Sequence, residues 1–151
     1  MSVSVVVDAS VWVSLLRDED INHIPSRLWL EQYIAINGAM TSPTFLLIEV
    51  AAAISRQTGQ AELAKKALEE LKGNTVQFVA IDDNLIQSAI DVATNMQLRA
   101  GDTIYVALAR QLNLPLISWD KEQLLKASKV ITTYTPSTYP FSKSEDLKES
   151  E

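Results

Sequence analysis

The sequence predicts an α/β fold with a mainly parallel sheet. Three observations carry this. Short, near-continuous apolar runs such as "VSVVV" (3–7) and "LPLIS" (114–118) read as strands buried on both faces. Stretches of helical character separate these runs along the whole chain. No internal repeat or domain boundary breaks the alternation, and 151 residues suffice for one domain with a real core.

Each element has its own signal. Val3 to Val7 is the first strand, and Ala9 to Leu16 begins a helix with Ser10 available to cap it. "RDEDINH" (17–23) is a polar loop, and Pro25 to Ile36 is a second helix. "NGAMTSPT" (37–44) supplies a turn and a short strand, after which Thr44 opens a long apolar helix, Phe45 to Arg56, ended near Gly59. Gln60 to Lys72 places Leu63, Ala67, Leu68 and Leu71 on one helical face, and Gly73-Asn74 stops it. Val76 to Ile81 is a strand, and Asp82-Asp83 caps a helix running to about Met96. Asp102 to Leu112 is helical, "LPLIS" is a strand, Lys121 to Ala127 is helical and Val130 to Tyr134 is the last strand. From Pro136 the periodicity is lost, so a domain over 1–135 and a polar, mobile tail over 136–151 are expected.

Composition narrows the chemistry. The chain has no cysteine and a single histidine, His23, which removes disulfides, thiol catalysis, Cys/His zinc sites and a triad needing a second histidine. The G-x-G-x-x-G fingerprint of dinucleotide binding is absent. The N-terminus lacks the basic region of a signal peptide, and no apolar run approaches membrane-spanning length. A soluble, cytoplasmic protein is expected. The net charge of −6 is unfavourable for nucleic acid, so such a function would need metal ions, a local basic patch or a basic partner.

Four carboxylates stand in unusual places. Asp8 ends the first strand, where ligand-binding groups of open parallel sheets collect, although a helix cap is the plainer role. Glu49 is the only charge in "FLLIEVAAAI"; Phe45, Ala52 and Ala53 share its face, so it points inward, with an ion pair to Arg56 as the alternative. Asp102 opens an apolar helix, again with capping as the alternative, and Gly101 before it fits a tight entry. Asp120 repeats the order strand, Asp, helix. Brought together, such groups repel, two like charges ~4 Å apart costing roughly 4 kcal/mol at a moderate dielectric. A hard divalent cation removes that cost, and all-oxygen donors suit Mg²⁺ or Mn²⁺. Arg17, Arg56 and Arg99 lie near these segments as candidate phosphate-binding groups.

"VVVDASVWV", "LLIEVAAAISR", "LRAGDTIYVALA" and "PLISWDKEQL" resemble, in order and spacing, the four blocks of the PIN domain. The resemblance is greatest to the VapC-type ribonuclease toxins of toxin–antitoxin pairs and covers about residues 3 to 134. It implies a PIN-like three-layer fold, with a mainly parallel five-stranded sheet between helices. It also implies a Mg²⁺- or Mn²⁺-dependent endoribonuclease whose catalytic and metal-binding acids are Asp8, Glu49, Asp102 and Asp120. Ser10 and Ser118 match the family's small hydroxyl residues, and Glu122 matches a further supporting acid. Alanines stand where the family often has Asn after the helix Glu, and Thr103 where Ala commonly follows the third acid. An RNA substrate, a cognate antitoxin and a homodimer are the implied partners. The competing readings are a catalytically silent PIN-fold binding module and another Mg-dependent phosphoryl hydrolase.

Overall fold

The computed structural model of the chain describes residues 3–141. Among these residues are five strands, joined by one or two helices each, seven in all: β1 (Ser4–Val7), α1 (Ala9–Leu16), α2 (His23–Ala35), β2 (Ala39–Pro43), α3 (Phe45–Thr58), α4 (Ala61–Lys72), β3 (Val76–Val79), α5 (Asp83–Met96), α6 (Ala100–Leu112), β4 (Leu116–Ile117), α7 (Lys121–Ala127) and β5 (Thr133–Tyr134). The sheet is parallel throughout, with the order β3-β2-β1-β4-β5. The expected α/β architecture with a five-stranded parallel sheet is the one observed.

The strand order explains the layers. The chain steps outward from β1 to β2 to β3, then returns past β1 to β4 and β5. Right-handed crossovers then put the helices of the two halves on opposite faces. Accordingly α1 packs on α2, α3 and α4, while α6 lies against α5, β1, β2 and β4. Central β1 is covered on both sides, so Val5, Val6 and Val7 are fully buried, as their unbroken apolar run requires. Tyr105 to Ala109 of α6 are likewise sealed.

Several details differ from the sequence reading. The cap of α1 is Asp8, whose carboxylate accepts from the Ser10 amide, and not Ser10 itself. Helix α2 begins at His23, two residues before Pro25, which sits in the first turn where its missing N–H costs nothing. Helix α6 begins at Ala100 with Arg99 in the cap position, so Asp102 lies inside the first turn and is not a cap. In α4 the buried face runs through Ala64, Ala67 and Leu71, and Leu63 stays 41% exposed. The packed body also continues past residue 135. Tyr139 meets Trp29, Tyr33 and Tyr134 edge-on at 6.4, 5.6 and 5.6 Å between ring centres, and Phe141 packs beside it at 4.8 Å. The rest of the expected tail, 142–151, lies outside the described residues.

Candidate active site

The order of the strands reverses direction between β1 and β4, which pair directly through Val6–Leu116 and Val7–Ile117. The helices that follow these two strands therefore leave toward opposite faces and open a crevice at the strand ends. Asp8 and Ser118 are the residues immediately beyond the two strands. The Asp8 amide continues the ladder by donating to the Ile117 carbonyl at 2.9 Å.

Asp8 is buried and held on both oxygens. Oδ2 accepts from the Ser10 amide (3.1 Å) and from Ser118 Oγ (3.1 Å), and Oδ1 accepts from Gln123 Nε2 (3.4 Å). Burial pushes its carboxyl up from the usual range, and the hydrogen bonds from Ser10, Ser118 and Gln123 oppose that. Ser118 Oγ also lies 2.8 Å from Gln123 Oε1, so its one proton serves either Asp8 or Gln123 at a time, while it accepts from the Asp120 amide at 3.0 Å. Asp120 caps α7 by accepting from the Gln123 amide at 3.0 Å. Ser10 Oγ stands 3.3 Å from Ser118 Oγ and accepts from the Trp119 amide at 3.0 Å.

Glu49 and Asp102 come in from α3 and α6. Gly101 is where these helices meet: a β-carbon there would stand 3.2 Å from the Phe45 ring and 3.4 Å from Glu49 Oε2. Burial raises Glu49 to about 7, and the charges of Asp8 and Asp102 add to the rise. The neighbouring Tyr105 hydroxyl pulls the other way, although it completes no hydrogen bond, and both Tyr105 Oη and Glu49 Oε1 are buried without a partner. Burial also raises Asp102, to about 6, with Asp8 and Asp120 reinforcing and Arg99 opposing. The four acids singled out in the sequence are thus near enough to repel one another. Among the described residues, no lysine or arginine forms an ion pair with any of them. Nor, among those residues, do three acidic or histidine side chains converge closely enough to ligate one ion. The all-oxygen donor set and the orphaned Glu49 oxygen suit a hard cation, but among the described residues the carboxylates do not form a closed cage.

The other candidates divide. Glu122 is exposed and accepts from Lys126 at 2.7 Å, and that hydrogen bond, followed by the lysine's charge, lowers its carboxyl. Arg17 points away to Gln57 (3.0 Å) and Glu19 (3.4 Å). Arg99 lies at the start of α6 beside Asp102, and Arg56 lines a groove with Glu49 without pairing to it. The residue that sequence reasoning missed is Gln123, fully buried and joined to Asp8, Ser118 and the Asp102 carbonyl (3.4 Å). Its signal was present: Asp120-x-x-Gln123 has the spacing of a capping box, and Gln123 shares the buried face of Ala127.

Comparison with known proteins agrees with this architecture. A family model described as "PIN domain" matches residues 5–129. No curated protein matches the chain in sequence. Among solved structures, VapC20 of Mycobacterium tuberculosis, described as a toxin cleaving the sarcin–ricin loop, superposes with TM-score 0.69 at 16% identity, over 90% of this chain and 99% of that one. VapBC2 of Rickettsia felis, bound to a DNA fragment from its promoter, gives 0.67 at 12% identity, over 87% and 98%. A toxin–antitoxin complex from Klebsiella pneumoniae gives 0.64 at 16%, over 91% and 99%. At these identities the likeness is one of fold.

Proposed function

The chain belongs to the PIN domain family, and on that premise we propose that it is a metal-dependent endoribonuclease, the toxin of a toxin–antitoxin pair. The observation that carries the reading is the set of four uncompensated carboxylates at the reversal point of the sheet, with Glu49 and Asp102 raised to about 7 and 6. Asp8, Glu49, Asp102 and Asp120 would hold Mg²⁺ or Mn²⁺, which when bound lowers the pKa of water and neutralises phosphate charge. The chain's own residues do the positioning. Ser10, Ser118 and the Gln123 side chain fix the Asp8 carboxylate, and the Gln123 backbone N–H fixes Asp120. Arg56, in the groove with Glu49, and Arg99, beside Asp102, would meet phosphates of the RNA backbone. The products expected carry a 5′ phosphate and a 3′ hydroxyl.

The same charge supports an antitoxin that inserts a basic side chain among the acids. The fold neighbours include toxin–antitoxin complexes, and a homodimer and a cytoplasmic location belong to the same proposal. Among the described residues no helix is long and apolar enough to cross a membrane. The open spacing of the carboxylates favours one other reading, a catalytically silent PIN-fold binding module.

A Mn²⁺ titration to millimolar levels, followed by thermal unfolding and by RNA cleavage, separates the two. Asn caps a helix as well as Asp does, so Asp8→Asn keeps the α1 cap while it removes the charge and turns the oxygen facing Gln123 into a donor. The midpoint of the wild type should rise with Mn²⁺, and those of Asp8→Asn and Asp102→Asn should not. Both variants should lose cleavage. A wild type that does not respond points to the silent module, and undiminished cleavage by Asp8→Asn overturns the site.

A further inference from the structure

Beside the carboxylates runs a groove of ≈ 640 Å³ whose lining includes Ser10, Glu49, Ala52, Ala53, Arg56 and Trp119. Clefts that hold small ligands span about 300–1,000 Å³, so a nucleotide fits. Of the four acids Glu49 lines the groove, together with Ser10, whose amide holds Asp8, and Trp119, the residue before Asp120.

Trp119 differs from the other two tryptophans. Trp12 and Trp29 are 1% exposed, and their indole N–H groups are buried without partners. Those two are core residues. Trp119 is only partly buried, yet it is fixed by its edge: Nε1 donates to Ser26 Oγ at 2.7 Å and its amide donates to Ser10 Oγ at 3.0 Å. Ser26 Oγ lies 2.6 Å from Ser14 Oγ, which donates to the Val11 carbonyl at 2.6 Å, and both serines are buried. A buried polar chain thus anchors the rim of a ring that lines a groove. Ala52 and Ala53 on α3 carry nothing beyond Cβ and leave the space open. Arg56, one turn further along α3, is exposed and forms no ion pair among the described residues. Asp20, also on the lining, is engaged by the Asn22 amide at 2.8 Å.

We infer that this groove is a nucleobase subsite, in which Trp119 stacks on an unpaired base next to the scissile phosphate of single-stranded RNA and Arg56 meets that nucleotide's phosphate. An edge-anchored aromatic beside a free cation is the combination that binds unpaired nucleotides irrespective of sequence. A duplex keeps its bases stacked on one another and offers none, so the subsite selects loops and single strands. The inference rests on the ribonuclease reading and adds to it the residues that hold one nucleotide of the substrate.

The test measures binding of a single-stranded oligoribonucleotide of about ten nucleotides, in EDTA to prevent cleavage. Anisotropy of the labelled RNA gives the affinity, and tryptophan emission reports contact at the ring. Wild-type emission should be quenched. Trp119→Leu should weaken binding about tenfold, Trp119→Phe by less than about threefold, since a phenyl ring still stacks. An abasic nucleotide at one position should weaken the wild type by a similar factor and leave Trp119→Leu unaffected. Ala52→Leu, at an exposed helix position that needs no change in the core, should fill the groove and weaken binding too. The same sequence as a duplex should bind poorly. Equal affinity of wild type, Trp119→Leu and Ala52→Leu, or equal binding of the duplex, overturns the subsite; if Mn²⁺-dependent cleavage persists, the ribonuclease reading survives without it. A wild type that neither binds nor cleaves single-stranded RNA removes both.

Discussion

At the scale of the residue, the site is defined by carboxyls that lack compensation. Asp8 at least has three hydrogen-bond donors, whereas Glu49 has one oxygen buried with none. The consequence is a dependence of stability on pH. Glu49 and Asp102 rise from 4.5 and 3.8 to about 7 and about 6 on folding. A carboxyl raised in this way binds its proton more tightly in the folded than in the unfolded chain, so unfolding releases protons and stability falls as pH rises. The contribution is complete below about pH 4, falls as pH rises through about 6 and about 7, and is lost above about pH 8, where both groups are ionised in both states. In EDTA the unfolding midpoint should therefore fall between pH 4.5 and pH 7.5, and Glu49→Gln should flatten the upper part of that fall. Mn²⁺ should restore the midpoint at pH 7.5 in the wild type alone. A midpoint that climbs over this interval in EDTA would mean that the acids are neutralised by the protein itself. The inward direction of Glu49 was legible in the sequence because a single charge among alanines and leucines has no plainer place. Gln123 had a local signal in its spacing from Asp120, but its place beside Asp8 and Ser118 was not legible, because that depends on tertiary packing.

At the scale of the element, most boundaries were legible because the chain is punctuated by residues with strong local preferences. Asp82 and Asp120 cap α5 and α7, accepting from the Leu85 and Gln123 amides, and Gly59 ends α3 at φ +67°. The start of α6 was misplaced for the converse reason. Arg99 occupies its cap position without a side-chain hydrogen bond, and Ala100-Gly101 is a weak opening, so Asp102 looked like the cap. Gly101 has a different task, close approach: its backbone needs no unusual angle, but a β-carbon there would stand 3.2 Å from the Phe45 ring, which would have to give way by a few tenths of an ångström. Gly101→Ala should gain helix propensity yet press a methyl to 3.2 Å from the Phe45 ring, moving α6 against α3. The expected result is a stability change within about 1 kcal/mol, since the propensity gain offsets part of the overpacking. RNA cleavage should fall by a larger factor, because Glu49 and Asp102 ride on the displaced helices. Phe45→Leu on top of Gly101→Ala should restore part of the activity. Unchanged cleavage by Gly101→Ala would show that the spacing of α3 and α6 does not set the site.

At the scale of the whole molecule, Asp8 and Asp120, more than a hundred positions apart in the chain, come to one end of the sheet only because β1 and β4 are neighbours. No local pattern reports that adjacency. The ordered set of motifs made it legible, since matching blocks bring a topology with them, whereas periodicity alone gave an α/β fold without an order of strands. The C-terminal segment shows the limit of composition. "PSTYPF" reads as tail because it is polar and proline-rich, yet Tyr139 joins α2, through Trp29 and Tyr33, to β5, through Tyr134. Trp29 and Tyr33 are themselves stacked at 5.0 Å, so Tyr139 completes an aromatic cluster between the edge of the sheet and the helical layer. Removing that ring by Tyr139→Ala should cost about 2–3 kcal/mol, from lost burial and edge-to-face contact. For a chain of this size the unfolding midpoint should drop by about 5–10 °C. Tyr139→Phe should be nearly neutral, because the contacts belong to the ring. The cluster does not include the carboxylates, so RNA cleavage at 25 °C should match the wild type in both variants while half-life at elevated temperature falls in the alanine variant. An unchanged midpoint in Tyr139→Ala would place the end of the cooperative unit at residue 135, where composition alone had put it.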